Sequence, residues 1–211
     1  MDCSFAQQKD RCMITVKLTG GLGNQMFQYA VGRSASFHSG QDFGLDISWF
    51  GQNHHNAKRV YSLGEFNIIE NFTPFKFQKI RSKLAFLDKS YIKERHIFKF
   101  DSKILEIYGN VYLDGYWQNE KYFKDIGQII RGEFTLKKPL NVKSKKLKEQ
   151  IEKNNSVSVH IRRGDYIADP KTNQFHGVCS PEYYHEAVKI IIKKINNPFF
   201  SYFPTTSNGQ R

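Results

Sequence analysis

The chain has 211 residues, 39% hydrophobic and 25% charged, so it can bury a core and is neither low-complexity nor disordered in composition. Lys and Arg number 32 against 20 Asp and Glu, a net charge of +12, and residues 76–103 and 137–153 alone carry +6 and +5. No apolar run approaches the roughly 18 residues of a membrane-spanning helix, and the three scattered cysteines fit neither a zinc site nor a disulfide framework, which points to a reducing, cytoplasmic setting.

Residues 1–12 are polar and lack the apolar stretch of a signal peptide, so they read as a disordered leader, with Met13 opening the fold. Ile14-Thr15-Val16-Lys17-Leu18 has the pattern of a strand. Thr19-Gly20-Gly21-Leu22-Gly23-Asn24 is a glycine turn. A helix then runs to about His38, with Phe27, Ala30, Val31, Ser34 and Ala35 on one buried face and Gly40 after its end. Phe43 to Ile47 is the next strand. Strand, helix, strand predicts an α/β fold. Residues 50–110 show weak periodicity, with helices expected around 76–87. Val111 to Tyr116 reads as a strand, and 119–132 as a helix with Phe123, Ile126 and Ile130 on one face.

The lysine-rich piece 137–153 is a helix or linker and the best domain boundary by composition, separating 13–136 from 154–200. Such a run serves equally as a solvated helix face or as a surface for an anionic partner: membrane, nucleic acid or substrate. Val157 to Ile161 is the clearest strand of the second half. Ser180 is a good N-cap with Pro181 at the first helical position, and Tyr184, Ala187, Val188, Ile191, Ile192 and Ile195 keep helical spacing. Phe199 to Phe203 begins a returning strand. Residues 201–211 read as an aberrant tail that cuts the second βαβ unit short.

Three segments have the residue types of a binding site. The turn Gly20-Gly21-Leu22-Gly23-Asn24-Gln25 joins a strand to a helix start, which suits an anion. It is no P-loop, and Met26 stands where a dinucleotide fingerprint has its third glycine. The bland alternative is a tight turn. His160-Ile161-Arg162-Arg163-Gly164-Asp165-Tyr166 sits at the C-terminal end of a strand, where α/β sheets place ligands. Arg pairs bidentately with phosphate, while Asp165 either anchors an arginine or acts as a base. A structural Arg–Asp pair explains Asp165 and one arginine, but not His160 and the second arginine. Third, Tyr116-Trp117-Gln118 offers flat faces for a sugar, although such aromatics are more often core. His54-His55 lacks further metal ligands, and Cys179 lacks an activating partner.

Together these segments resemble glycosyltransferase family 11, the galactoside α-1,2-fucosyltransferases. The resemblance rests on Leu18-Thr19-Gly20-Gly21-Leu22-Gly23-Asn24-Gln25-Met26-Phe27-Gln28-Tyr29-Ala30, on Gly115-Tyr116-Trp117-Gln118 with Lys121-Tyr122-Phe123, and above all on the H-x-R-R-x-D run at His160–Asp165. His176-Gly177-Val178 and Tyr183-Tyr184 are similar too. It implies a GT-B-like pair of α/β domains, the second, from 154, binding GDP-fucose. It also implies inverting, metal-free transfer of L-fucose to the 2-hydroxyl of a terminal galactose, without a cofactor. Arg162 is then the contact to the donor diphosphate, with His160 and Arg163 beside it and Asp165 as candidate base. Gly21, Gly23, Asn24 and Gln25 approach the same donor, and Tyr116, Trp117 and Gln118 face the acceptor.

Family members carry a Ser-Asp-Asp segment and a later Trp-Trp segment, so the resemblance implies a C-terminally truncated chain with impaired activity. Without the membrane anchor that animal members carry, the expectation is a bacterial enzyme of surface-polysaccharide synthesis, and its lysine-rich stretches then suit the anionic cytoplasmic leaflet. An inactive sugar- or partner-binding remnant is the alternative. A nucleic-acid-binding protein accounts for the charge but finds no signature.

Overall fold

The computed structural model describes residues 12–51, 59–73, 90–162, 173–174 and 177–205, with the backbone alone at 162, 204 and 205. The expected helices around 76–87, the leader before Cys12, His54-His55 and the run Arg163–Tyr166 lie outside the described residues. The chain divides into two compact units at the Lys138–Pro139 bond.

The first unit contains β1 (Met13–Lys17), α1 (Leu22–Ser39), β2 (Asp42–Asp46), β3 (Tyr91–Lys93), β4 (Val111–Asp114) and α2 (Gly127–Glu133). Its four strands form one parallel sheet in the order β2-β1-β4-β3. In β1, Ile14, Thr15 and Val16 are all buried, as befits a central parallel strand covered on both faces. Val16 pairs with Leu45 on one side and Leu113 on the other. Around this line gather Tyr29, Ala30, Val31 and Ala35 of α1, with Leu63, Ile104, Trp117, Tyr122 and Ile130 from later segments.

Helix α1 follows its expected limits, and Gly40 ends it in the left-handed conformation at φ 66°. Its buried face holds Ala30, Val31, Ser34 and Ala35 as expected, and is otherwise shifted. Phe27 is only half-buried, edge-on to Phe123 at 5.9 Å, whereas Gln25, Gln28 and Tyr29 are fully buried. Gly32 lets the helix approach the sheet: a Cβ there would lie 2.5 Å from the Phe43 ring and 3.1 Å from Val16. A three-part network ties α1 to α2. Glu133 accepts from Arg33 Nε at 2.9 Å and from the Tyr29 hydroxyl at 2.7 Å, and that hydroxyl accepts from the Ile69 N–H at 3.0 Å.

Two further expectations change. The helix expected over 119–132 is broken into a 3-10 turn at Glu120–Tyr122 and α2, and between them Asp125 meets His38 of α1 at 2.6 Å. Strand β3, inside the weakly periodic region, is a three-residue edge strand that the pattern did not announce.

The second unit contains α3 (Val142–Lys153), β5 (Asn155–Arg162), α4 (Pro181–Lys194) and β6 (Pro198–Thr205). Asn141 caps α3 by accepting from the Ser144 N–H at 2.8 Å. Ser180 caps α4 as its position suggests. β5 and β6 are parallel and pair over eight residues, from Asn155 with Pro198 to Arg162 with Thr205. The returning strand expected from Phe199 to Phe203 is therefore present as β6 and continues to Thr205, so residues 201–205 of the expected aberrant tail belong to it. Pro204 fits because it lies near the end of a strand whose partner among the described residues is β5 alone. None of the described side chains of this unit is fully buried. Among the described residues no helix is long and apolar enough to cross a membrane.

Candidate functional site

In the first unit, β1 and β4 are sheet neighbours although almost a hundred residues separate them in sequence. Such a break in strand order opens a crevice at the C-terminal ends of the two strands, the usual ligand position in an open α/β sheet. The segments that leave those ends are the glycine turn and the Gly115–Asn119 loop. The two motifs singled out in the sequence thus meet in space.

Three side chains of α1 make the meeting. Gln28 is buried, and its carboxamide accepts from the Thr19 N–H at 2.8 Å and donates to the Thr19 hydroxyl and the Gly115 carbonyl, both at 3.0 Å. It clamps the end of β1 to the end of β4. Gln25, also buried, donates to the Gly20 carbonyl at 3.1 Å and the Val60 carbonyl at 3.0 Å, and accepts from the Ser62 N–H at 2.9 Å. Its amide hydrogens thereby tie the turn to the 60–62 segment. Asn24 accepts from Gln118 Nε2 at 2.7 Å, joining a donor-side candidate to an acceptor-side candidate.

Gly20 is required by the turn. Its φ is 74°, and a Cβ there would stand 2.6 Å from Asn24 Nδ2. Gly21 is the N-cap of α1, with no side-chain cap bond and no acidic residue in the first turn, so the positive end of the helix stays uncompensated there. Gly23 has nothing within 4 Å of an added Cβ, which leaves space beside the backbone. Arg59 Nη1 lies 3.7 Å from where a Gly21 Cβ would be, which brings a cation to the same turn. Sequence reasoning missed Arg59, because its neighbourhood carries no motif.

The loop after β4 is held from β3's side. Glu94 Oε2, one residue beyond β3, accepts from the Tyr116 N–H at 2.7 Å and the Trp117 N–H at 3.2 Å. Trp117 is 2% exposed, edge-on to Tyr122, and stands at φ 55°, an uncommon conformation for a non-glycine residue. Its ring packs against the core and also contributes to the wall of a cavity on the β3 side. Tyr116 beside it is 38% exposed and free to face a ligand. Beneath the loops, Tyr112 donates to Asp46 and Tyr91 to Asp114, which also pairs with Lys17 at 3.0 Å. Burial first, and then the facing carboxylates, push both tyrosine hydroxyls above their ordinary pKa, so they remain donors at neutral pH.

In the second unit, His160 is exposed on β5, opposite Phe203 of β6. Arg162 is the last residue of β5, at the C-terminal end of a parallel strand. Arg163 and Asp165 lie outside the described residues. The structure thus brings Gly21, Gly23, Asn24, Gln25 and Gln118 together in one unit, with His160 and Arg162 two residues apart on a strand of the other.

Comparison with known proteins gives this arrangement its context. The chain is 32% identical over 205 residues to an alpha-1,2-colitosyltransferase of Escherichia coli, covering 90% of this chain and 68% of that protein. It is 30% identical over 200 residues to the O-antigen biosynthesis glycosyltransferase WbnK of Escherichia coli, covering 82% of this chain and 66% of the relative. The chain thus spans about two thirds of the length of each. The family model for glycosyl transferase family 11 matches residues 2–209, well beyond the motifs quoted from Leu18 to Tyr184. With nearly its whole length matched, the chain belongs to glycosyl transferase family 11.

Proposed function

We propose that the chain transfers L-fucose from GDP-fucose to the 2-hydroxyl of a terminal galactose in a surface polysaccharide of the O-antigen kind, with inversion at the anomeric carbon. The observation that carries this reading is the 32% identity to an alpha-1,2-colitosyltransferase over 90% of the chain. The O-antigen setting comes from the name of the second relative. Colitose is L-fucose without its 3-hydroxyl, so transfer of either sugar makes the same demands on the anomeric carbon.

In this reading the acceptor 2-hydroxyl attacks the anomeric carbon, the bond to the diphosphate breaks, and GDP leaves. Negative charge grows on the departing phosphate. Arg162 neutralises it, with His160 and Arg163 alongside, and no divalent ion takes part. The acceptor proton passes to a base, for which Asp165 is the candidate. The uncapped start of α1, with Gly21, Gly23 and Asn24, and the guanidinium of Arg59 suit an anionic group of the donor, and the fold is read as GT-B-like. Gln25 contributes by fixing the turn, and Tyr116 and Gln118 serve the acceptor. The lysines of α3 hold the enzyme to anionic lipid, where lipid-linked acceptors reside. Equal binding to neutral and anionic vesicles at low salt would remove that last element.

The direct test incubates the purified chain with GDP-fucose or GDP-colitose and a β-galactoside, following GDP release and the linkage of the product by NMR. An α-1,2-linked product formed equally well in EDTA is expected. Arg162→Ala lowers the rate by about 10²–10³. No GDP release with either donor overturns the reading, and an undiminished rate in the variant overturns the role of Arg162. A site that hydrogen-bonds the 3-hydroxyl prefers the fucosyl donor by about 10⁴ or more, whereas comparable rates mean that this position goes unread.

A further inference from the structure

A cavity of about 640 Å³ opens on the β3 side of the Gly115–Asn119 loop, away from the glycine turn. Its size falls within the roughly 300–1,000 Å³ of small-molecule sites. Its apolar wall includes Phe100, Trp117 and Tyr122, and its polar wall includes Glu94. Two atoms of this wall are buried without a hydrogen-bond partner among the described residues: Glu94 Oε1 and Trp117 Nε1. Both side chains pack on Gly115, where a Cβ would be 2.9 Å from Glu94 Oε2 and 2.9 Å from Trp117 Cε2. A buried polar group without a partner is costly, and natural proteins seldom keep one without use. A hydroxyl complements either atom, since it donates to a carboxylate and accepts from an indole N–H.

The rim of the cavity has a charge bias. Lys93, Arg95, Lys99 and Lys103 are exposed around it, and none of the four is in an ion pair among the described residues. The two acids of the wall are engaged with backbone. Glu94 Oε2 holds the loop, and Asp101 Oδ1 accepts from the Lys103 N–H at 3.1 Å. An aromatic wall, a hydroxyl-seeking pair and an unpaired cationic rim together describe a saccharide that carries negative charge.

We propose that this cavity is a saccharide subsite: Glu94 and Trp117 each read a hydroxyl, and Lys93, Arg95, Lys99 and Lys103 read an anionic group on the same glycan. Its role as an acceptor subsite rests on the transfer reading above.

The chain has two tryptophans, Trp49 and Trp117, so Trp49→Phe leaves Trp117 as the sole indole reporter. Its emission is followed during titration with a glucuronosyl-β-galactose disaccharide and with its carboxyl-reduced glucosyl counterpart. Both are expected to shift it. The acid binds about two- to fivefold tighter at low salt, and that margin vanishes near 1 M salt. Glu94→Gln keeps an oxygen for the loop N–H groups but weakens both saccharides by about tenfold or more. Lys99→Ala with Lys103→Ala removes only the preference for the acid. Emission unmoved by either disaccharide overturns the site, as does unchanged affinity in Glu94→Gln. Equal affinity for the two at low salt overturns the anionic assignment. If Glu94→Gln does not fold, the wild-type pair of titrations and the lysine variant still decide. Donor turnover without a Trp117 response sinks this inference and leaves the transfer reading standing; a response without turnover does the reverse.

Discussion

The molecule contains the same βαβ plan twice, β1–α1–β2 in the first unit and β5–α4–β6 in the second, and the two copies differ in burial. Ile14 and Val16 of β1 are fully shielded, while Val157 and Val159 of β5, with the same alternation, are only partly covered. The difference lies in the neighbours. β1 is flanked on both sides, by β2 and β4, and crossed by α1, whose Gly32 permits backbone-close packing. β5 is paired with β6 alone among the described residues. A two-stranded sheet is marginal in water, so a βαβ plan supplies order but not a core. Stability is therefore expected to reside in the first unit.

The largest effect that tests this contrast is core truncation. Leu113→Ala removes a fully buried side chain from β4 and should cost about 2–5 kcal/mol in urea unfolding. Ile192→Ala on α4, at a residue 55% exposed, should cost less than about 1 kcal/mol. Equal losses would mean that the second unit hides a core of its own, and the contrast would fail.

Next comes the clamp between strand ends. Gln28→Ala strands the Thr19 N–H and the Gly115 carbonyl beside a core, at about 1–3 kcal/mol for each group left without a partner. The counterpart in the second unit is Ser180→Ala, which removes only a helix cap and should cost about 1 kcal/mol. Amide exchange sharpens the comparison. Losing Gln28 should speed exchange at Thr19 and in the loop after β4 together, because one side chain serves both. If only Thr19 responds, the two loops are not coupled.

How much of this was legible in the sequence follows from the same contrast. Local signals held wherever a short stretch decides: the strand at Ile14, the stop at Gly40, the cap at Ser180 and the alternation of β5. What failed depended on partners far along the chain. Gln25 was expected to approach the donor and Gln28 was not singled out for burial, yet both are buried because distant backbone satisfies them. The 119–132 helix looked continuous, yet it is interrupted between Tyr122 and Gly127, where Asp125 meets His38 of α1. β3 is too short to show a period, and Glu94 carries no local sign that it will hold N–H groups 22 residues later. At the site, glycine turn, loop and β5 were visible because their residue types are unusual in themselves. Arg59 and the orphaned pair at Glu94 and Trp117 were not, since only packing creates them.

The smallest effect concerns pH and again separates a braced pair from a loose one. Glu70 in the first unit accepts from Lys137 Nζ at 2.7 Å and from the Tyr61 hydroxyl at 2.7 Å. These bonds, that of Lys137 first, hold its carboxyl below the usual carboxylate range. The folded state therefore takes up this proton less readily than the unfolded chain. Its stabilising contribution is present above the unfolded value near ~4.3 and is lost as pH falls through the folded value. Lys137 is 37% exposed, so solvent screening keeps the effect small. Urea midpoints should show Glu70→Gln below wild type at neutral pH, with the gap closing as acid protonates the wild-type carboxyl. The pair Lys189–Glu186 on α4, bonded at 2.7 Å but about two thirds exposed on both sides, supplies the control: Glu186→Gln should leave the neutral-pH midpoint unmoved. A gap for Glu70→Gln that stayed constant down to low pH would mean that its charge does nothing for the fold, and that the Tyr61 and Lys137 contacts act through shape alone.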